Sequence, residues 1–167
     1  MSDAPASSEH GLPEALAREA VKGPSLKARA LKLLSLREHT RLELERKLAA
    51  HAESAEQLAE ALDALQARGF INEARVVESV VHRRAARLGA SRVRQELQAK
   101  GVAQGAITEA VQALRSTELA RAREVWAKKF GNSAADAKER ARQVRFLISR
   151  GFAAEVVRRV VNGADEG

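Results

Sequence analysis

Residues Leu65–Arg75 read LQARGFINEAR, and this stretch sets what the rest of the chain can become. Leu65 closes an apolar stripe with Leu58 and Leu62, at the spacing of one helix face. Gly69 can enter the left-handed conformation that ends a helix, and Phe70 is expected to fold back over the last turn. Asn72 then places a side-chain oxygen to cap a new helix, with Glu73 beside the positive end of its dipole. The stretch predicts a helix, a tight turn and a second helix.

Working outward, the same grammar recurs. Ser25 is placed to cap a helix carrying Leu26, Ala30, Leu33 and Leu34 on one face. Thr40 with Glu43, and Ser54 with Gln57, have the spacing of capping boxes ahead of Leu44, Leu48 and Leu58. Downstream, Val76, Val77, Val80 and Val81 mark a helix expected to stop near Gly89. Ser91 is expected to cap a short helix bearing Val93 and Leu97, ended by Gly101, and Ile107, Val111 and Leu114 mark the next. The pattern then loosens to Leu119, Val125, Trp126 and Phe130 before Gly131, and to Ala141, Val144, Leu147 and Ile148 before Gly151. Val156, Val157, Val160 and Val161 form the last stripe, and Trp126 and Phe130 are expected in the core.

These segments keep one register. Leu48, Leu97 and Leu147 are 49 and 50 residues apart, as are Leu58, Ile107 and Val157, and Leu62, Val111 and Val161. Ala52, Gly101 and Gly151 match at the turns, each preceded by a basic or ionisable residue, His51, Lys100 and Arg150. A period this long, kept by several anchors, marks a structural repeat whose units bury one face against their neighbours. The expectation is an all-α, elongated array of three tandem three-helix repeats, about nine helices, over residues 25–71, 72–115 and 116–163. Residues 1–24 read as a flexible tail, with a short helix between Pro13 and Val21, and residues 164–167 as a second tail.

Composition narrows the chemistry. Of 167 residues, 45% are hydrophobic but only 3% aromatic, so the core must be built from Ala, Leu and Val. Without cysteine there is neither a disulfide framework nor thiolate chemistry, which fits a cytoplasmic location. No apolar run reaches membrane-spanning length. The four histidines lack metal-ligand spacing, no phosphate-binding loop is evident, and acidic residues stand at helix starts or opposite cations, as Glu43 does with Lys47. An enzyme is therefore disfavoured, and neither cofactor nor metal is expected.

The net charge of +7 lies in the later two thirds. Residues 72–115 hold eight basic groups against four acidic, and residues 116–167 eleven against seven. The densest set is Arg83, Arg84, Arg87, Arg92, Arg94 and Lys100, with only Glu96 between its ends to offset it. Such a set suits phosphate contact or an acidic groove on another protein. A solvated helix surface is the plain alternative. Arg142, Arg145 and Arg150 in the third unit extend the set more weakly. Each repeat could be read as helix-turn-helix, but the middle helices spend Leu44, Leu48, Val93 and Leu97 on packing, so base-specific readout is not supported.

In order along the chain, ALKLLSLREHTRLELERKL, ALDALQARGFINEAR, LGASRVRQELQAKGV and RFLISRGF resemble the RecX family of recombinase regulators, from about Ala30 to Val161. That resemblance implies three tandem three-helix repeats, no catalytic residues and no cofactor. It implies a protein, expected as a monomer, that lodges in the groove of the RecA recombinase filament on single-stranded DNA and modulates it, most often by limiting extension or strand exchange. Arg75, kept at the first joint, would join the basic set facing DNA or recombinase. One departure stands at that joint: the family's acidic pair followed by Ala-Arg-Phe is here Asn72, Glu73, Ala74, Arg75 and Val76. Loss of the aromatic is expected to thin the packing between repeats. The rivals are a general DNA-binding helical protein and a helical-repeat adaptor with incidental charge.

Overall fold

The computed structural model describes residues 23–163. The proposed tails over 1–22 and 164–167, with the short helix from Pro13, lie outside the described residues. Among the described residues the chain is all-helical. In chain order the helices are α1 (Leu26–Leu36), α2 (Arg41–Leu48), α3 (Ala55–Ala67), α4 (Glu73–Arg84), α5 (Ala90–Ala99), α6 (Gln104–Arg115), α7 (Glu118–Lys129), α8 (Ala137–Ser149) and α9 (Ala154–Gly163), with a short 3-10 turn at Ala49–His51. They fall into three groups of three, an elongated tandem array in which each group closes around its own core. Leu44, Leu48, Leu58, Leu62 and Leu65 fill the first, Val76, Val80, Val93, Leu97, Ile107 and Val111 the second, and Ala122, Leu147, Phe152, Val157 and Val161 the third. Apart from Ala122 and Phe152, these are the periodic aliphatics, and truncating a fully buried Leu such as Leu62 or Leu97 costs about 2–5 kcal/mol.

Local sequence writes most helix ends. Thr40 and Glu43 form the reciprocal box, with Thr40 Oγ1 accepting from the Glu43 amide at 3.1 Å and a Glu43 carboxylate oxygen accepting from the Thr40 amide at 2.9 Å. Ser54 Oγ caps the Gln57 amide, but the Gln57 side chain answers the amide of Glu53 instead. Asn72 caps α4 through the Arg75 amide at 3.0 Å. At the turn before it, the Phe70 amide donates to the Leu65 carbonyl at 3.0 Å, and the Phe70 side chain stays outside the core, 43% exposed. Ile71 enters the first core in its place, because it is the residue facing that core as the chain heads into α4.

Three other expectations are corrected. Val76 is 1% exposed inside the second group's own core, so its small size does not thin the joint between groups. The helix after Gly89 starts at Ala90, not after Ser91, and no local side chain caps it. Along α8 the fully buried positions are Gln143 and Leu147, while Ile148 is 43% exposed. Gln143 is tolerated there because its amide is satisfied, accepting from Trp126 Nε1 at 2.9 Å and donating to the Asn132 carbonyl at 3.2 Å. Trp126 and Phe130 are half-buried, Trp126 against the third core and Phe130 edge-to-face with Phe146 at 5.4 Å.

The groups join by one device used twice: the start of each middle helix abuts the end of the next middle helix. At the first joint Thr40 Oγ1 donates to the Lys100 carbonyl at 2.5 Å, and Leu42 lies against Gly101 so closely that a Cβ there would meet its side chain at 2.5 Å. At the second, 49 residues on, the Gly89 amide donates to the Arg150 carbonyl at 2.8 Å and the Ser91 amide to the Gly151 carbonyl at 3.3 Å. Gly101 and Gly151 hold φ of +78° and +88°, the left-handed turn that exposes those carbonyls. The arrangement sets the positive end of one helix dipole on the negative end of another. Ala52, the matching position in the first group, has φ −88° after its 3-10 turn, so no such seat forms there.

Candidate nucleic-acid interface

The basic residues divide by what they touch. Arg75 reaches back from α4 to Glu38 at 2.9 Å and to the Gly69 carbonyl at 2.7 Å. Lys100 donates to Glu43 at 2.8 Å, with both side chains nearly buried. Arg92 donates to the Ser149 carbonyl at 3.0 Å, across the second joint. The Arg150 carbonyl belongs to that joint, and its guanidinium lies 4.9 Å over the Phe146 ring. Arg75, Lys100 and Arg92 are committed to holding the array together, whereas Arg150 contributes only its backbone carbonyl.

Arg84 pairs with Glu96 at 3.3 Å, tying α4 to α5 across a partly exposed surface. The pair is worth little stability, within about 1 kcal/mol, but it spends the only carboxylate in the basic set and lowers the net charge available there. The side chains of Arg83 at the end of α4, Arg87 in the turn after it, Arg94 on α5 and Arg145 on α8 have neither hydrogen bond nor ion pair among the described residues. Arg83, Arg87 and Arg145 are exposed and Arg94 is half-buried. Because α4 packs on α5, the structure brings Arg83, Arg87 and Arg94 onto one three-helix group. Their side chains are left unpaired on that group.

Glu43 and Lys47 are not the solvated pair that their spacing suggests. Glu43 is the hub of the first joint, accepting from Arg37 at 3.1 and 3.2 Å, from Lys100 and from the Thr40 amide. Burial pushes its carboxyl up, but those four donors outweigh that and hold it at about 2. Lys47 instead donates to Nε2 of His39, which is 1% exposed, while Nδ1 of His39 donates to the Arg37 carbonyl at 3.0 Å. Burial lowers the His39 pKa, so the ring is neutral near pH 7 and locks the loop that carries Thr40.

Two functional residues of the second joint escaped sequence reasoning. Glu118 is 4% exposed and accepts from the Ala90 amide at 2.7 Å, giving α5 the cap that its own sequence lacks. Arg121 donates to the carbonyls of Ala85, Leu88 and Leu114 at 2.7–2.9 Å, and burial lowers its pKa. Each acts on a partner about thirty positions away, and no local motif announces that. The signal available was positional: Arg75 and Arg121 both stand in the first turn of the first helix of a group and reach back to the preceding loop.

Among the described residues no cluster of His, Asp or Glu could hold a metal ion, and no helix is long and apolar enough to cross a membrane. Unpaired guanidinium groups of this kind are chemically suited to contact with phosphate or carboxylate groups.

Residues 72–111 match the family description "RecX, second three-helix domain" and residues 116–161 "RecX, third three-helix domain". The Regulatory protein RecX of Leptothrix cholodnii is 59% identical over 141 residues, covering 84% of this chain and 90% of that protein. That of Ralstonia nicotianae is 50% identical over 141 residues, covering 84% and 89%. A crystal structure of RecX from Lactobacillus salivarius superposes with a TM-score of 0.72 at 18% identity, covering 89% of this chain and 99% of that one. A second crystal structure, of a regulatory protein RecX, gives 0.69 at 19% identity, covering 100% and 83%. At those identities the structural likeness speaks for the fold.

Proposed function

Because the chain belongs to the RecX family of regulatory proteins, we propose that it is a non-enzymatic regulator that binds the RecA recombinase filament on single-stranded DNA and restrains its assembly, ATPase and strand exchange. In this reading it works in the cytoplasm as a monomer, with three repeats over 25–71, 72–115 and 116–163, and needs no cofactor. The observation that carries the reading is the unpaired set Arg83, Arg87 and Arg94, presented by a three-helix group in which Arg75, Arg92 and Lys100 are engaged in the joints and Arg84 is paired with Glu96. Cations left without partners on a rigid, elongated scaffold suit a filament built on a phosphate backbone, and they act by charge and placement without base readout.

The test is the ATPase of a RecA filament on single-stranded DNA. Added at stoichiometric amounts, the protein is expected to lower the rate, and no effect would sink the regulator reading. Binding to bare DNA without any filament effect would favour a general DNA-binding protein. Filament binding that is indifferent to salt would favour an adaptor.

A further inference from the structure

A second cationic site lies in the third group. Arg123 on α7 and Arg158 and Arg159 on α9 line an open cleft of about 580 Å³, together with Glu155, Asn162 and Gly163. Among the described residues the three guanidinium groups have neither hydrogen bond, ion pair nor ring contact. Their positions are fixed from beneath. Ala122, Val157 and Val160, each next to one of the arginines in sequence, are 0–3% exposed in the third core, which clamps α7 to α9. Like charges held this way repel one another across the cleft, and Glu155 offsets one of three.

The chemistry of the lining selects the occupant. The planar forks of arginine match phosphate oxygens and bind them bidentately. Among the described residues no aromatic or apolar side chain lines the cleft, so none of them offers a nucleobase a ring to stack on or an apolar surface to bury against. The cleft is open rather than enclosed, which suits a strand passing over it better than a small molecule held inside. We propose that the α7–α9 cleft is a contact site for the phosphodiester backbone of single-stranded DNA, carried by different helices from the Arg83, Arg87 and Arg94 surface. It rests on the reading of this protein as one that works on single-stranded DNA, and adds a second place where the strand is held.

The test uses the full chain and a fluorescent oligothymidylate, with affinity measured by anisotropy across a salt series. A triple variant, Arg123→Gln with Arg158→Gln and Arg159→Gln, is expected to lower the slope of log affinity against log salt by about 2, from about 0.7 per phosphate contact on a single strand. Arg158→Gln alone, at an exposed position, is expected to lower it by about 0.7 and serves if the triple variant misfolds. A wild-type slope in folded variants overturns the proposal, as does a wild-type protein that fails to bind the oligonucleotide. Variants that keep the slope but lose the filament would make the occupant an acidic protein surface, and the proposal falls. A reduced slope without any filament ATPase effect leaves the cleft standing and removes the regulator reading instead.

Discussion

Glu43 on α2 and Lys100 at the end of α5 stand 57 residues apart in the chain and 2.8 Å apart in space, with side chains 14% and 13% exposed. The same carboxylate closes the capping box of α2. One residue therefore fixes a local helix start and ties the first three-helix group to the second, so a local change there has a long-range effect.

That coupling makes the first joint acid-sensitive. The folded pKa of Glu43, about 2, lies below its ordinary value of 4.5. A depressed carboxylate contributes stability in full above 4.5 and loses it as pH falls from 4.5 towards 2, here up to about 3 kcal/mol. Glu43→Gln is expected to lower stability by about 2 kcal/mol at pH 7, because it leaves Arg37 and Lys100 without their carboxylate. Urea denaturation of both proteins should show the difference shrinking across that pH window. A difference constant with pH would contradict the assigned hub.

The second joint rests on backbone and should respond to shape. A Cβ on Gly89 would meet the Gly151 carbonyl oxygen at 2.3 Å, and backbone cannot swing aside as a side chain can. Gly89→Ala is expected to cost about 3 kcal/mol. Gly105→Ala, in the first turn of α6 with nothing within 4 Å of the new methyl, is expected to be neutral or stabilising by about 0.5 kcal/mol. Comparing the two denaturation midpoints checks the close approach, and equal effects would refute it.

Arginines called alike by charge should separate by experiment. Arg75→Ala and Lys100→Ala are expected to lower stability by about 1–2 kcal/mol through the joint partners that they abandon. Arg83→Ala and Arg87→Ala should stay within about 0.5 kcal/mol. Reversing Arg83, Arg87 and Arg94 to Glu together should weaken filament binding while the helical circular dichroism is retained. Unchanged binding in that triple variant would remove this face from the interface.

Much of the fold was readable because its signals are local. The stripes Leu58, Leu62, Leu65 and Val76, Val80 needed only helical spacing, and Thr40, Ser54 and Asn72 carried their caps within three residues. Phe70 stays outside the core and Ile71 enters it because the left-handed turn at Gly69 specifies a backbone bond, not which neighbour is buried. Ser91 misled because α5 takes its cap from Glu118, in the following group.

The candidate site was less readable for a related reason. Charge counting found Arg83, Arg84, Arg87, Arg92, Arg94 and Lys100 as one block, and sequence cannot tell a committed cation from a free one. The 49- and 50-residue register was enough to establish three groups of helices and which residues fill their cores, since burial of a periodic apolar face depends on spacing within the segment. Which cations hold the array and which face outward depends on pairs such as Glu43 with Lys100 and Arg92 with Ser149, which meet only when whole groups dock. Only the docked array, by bringing residues more than fifty positions apart to within 3 Å, made Lys100 and Arg92 structural and left Arg83, Arg87 and Arg94 free.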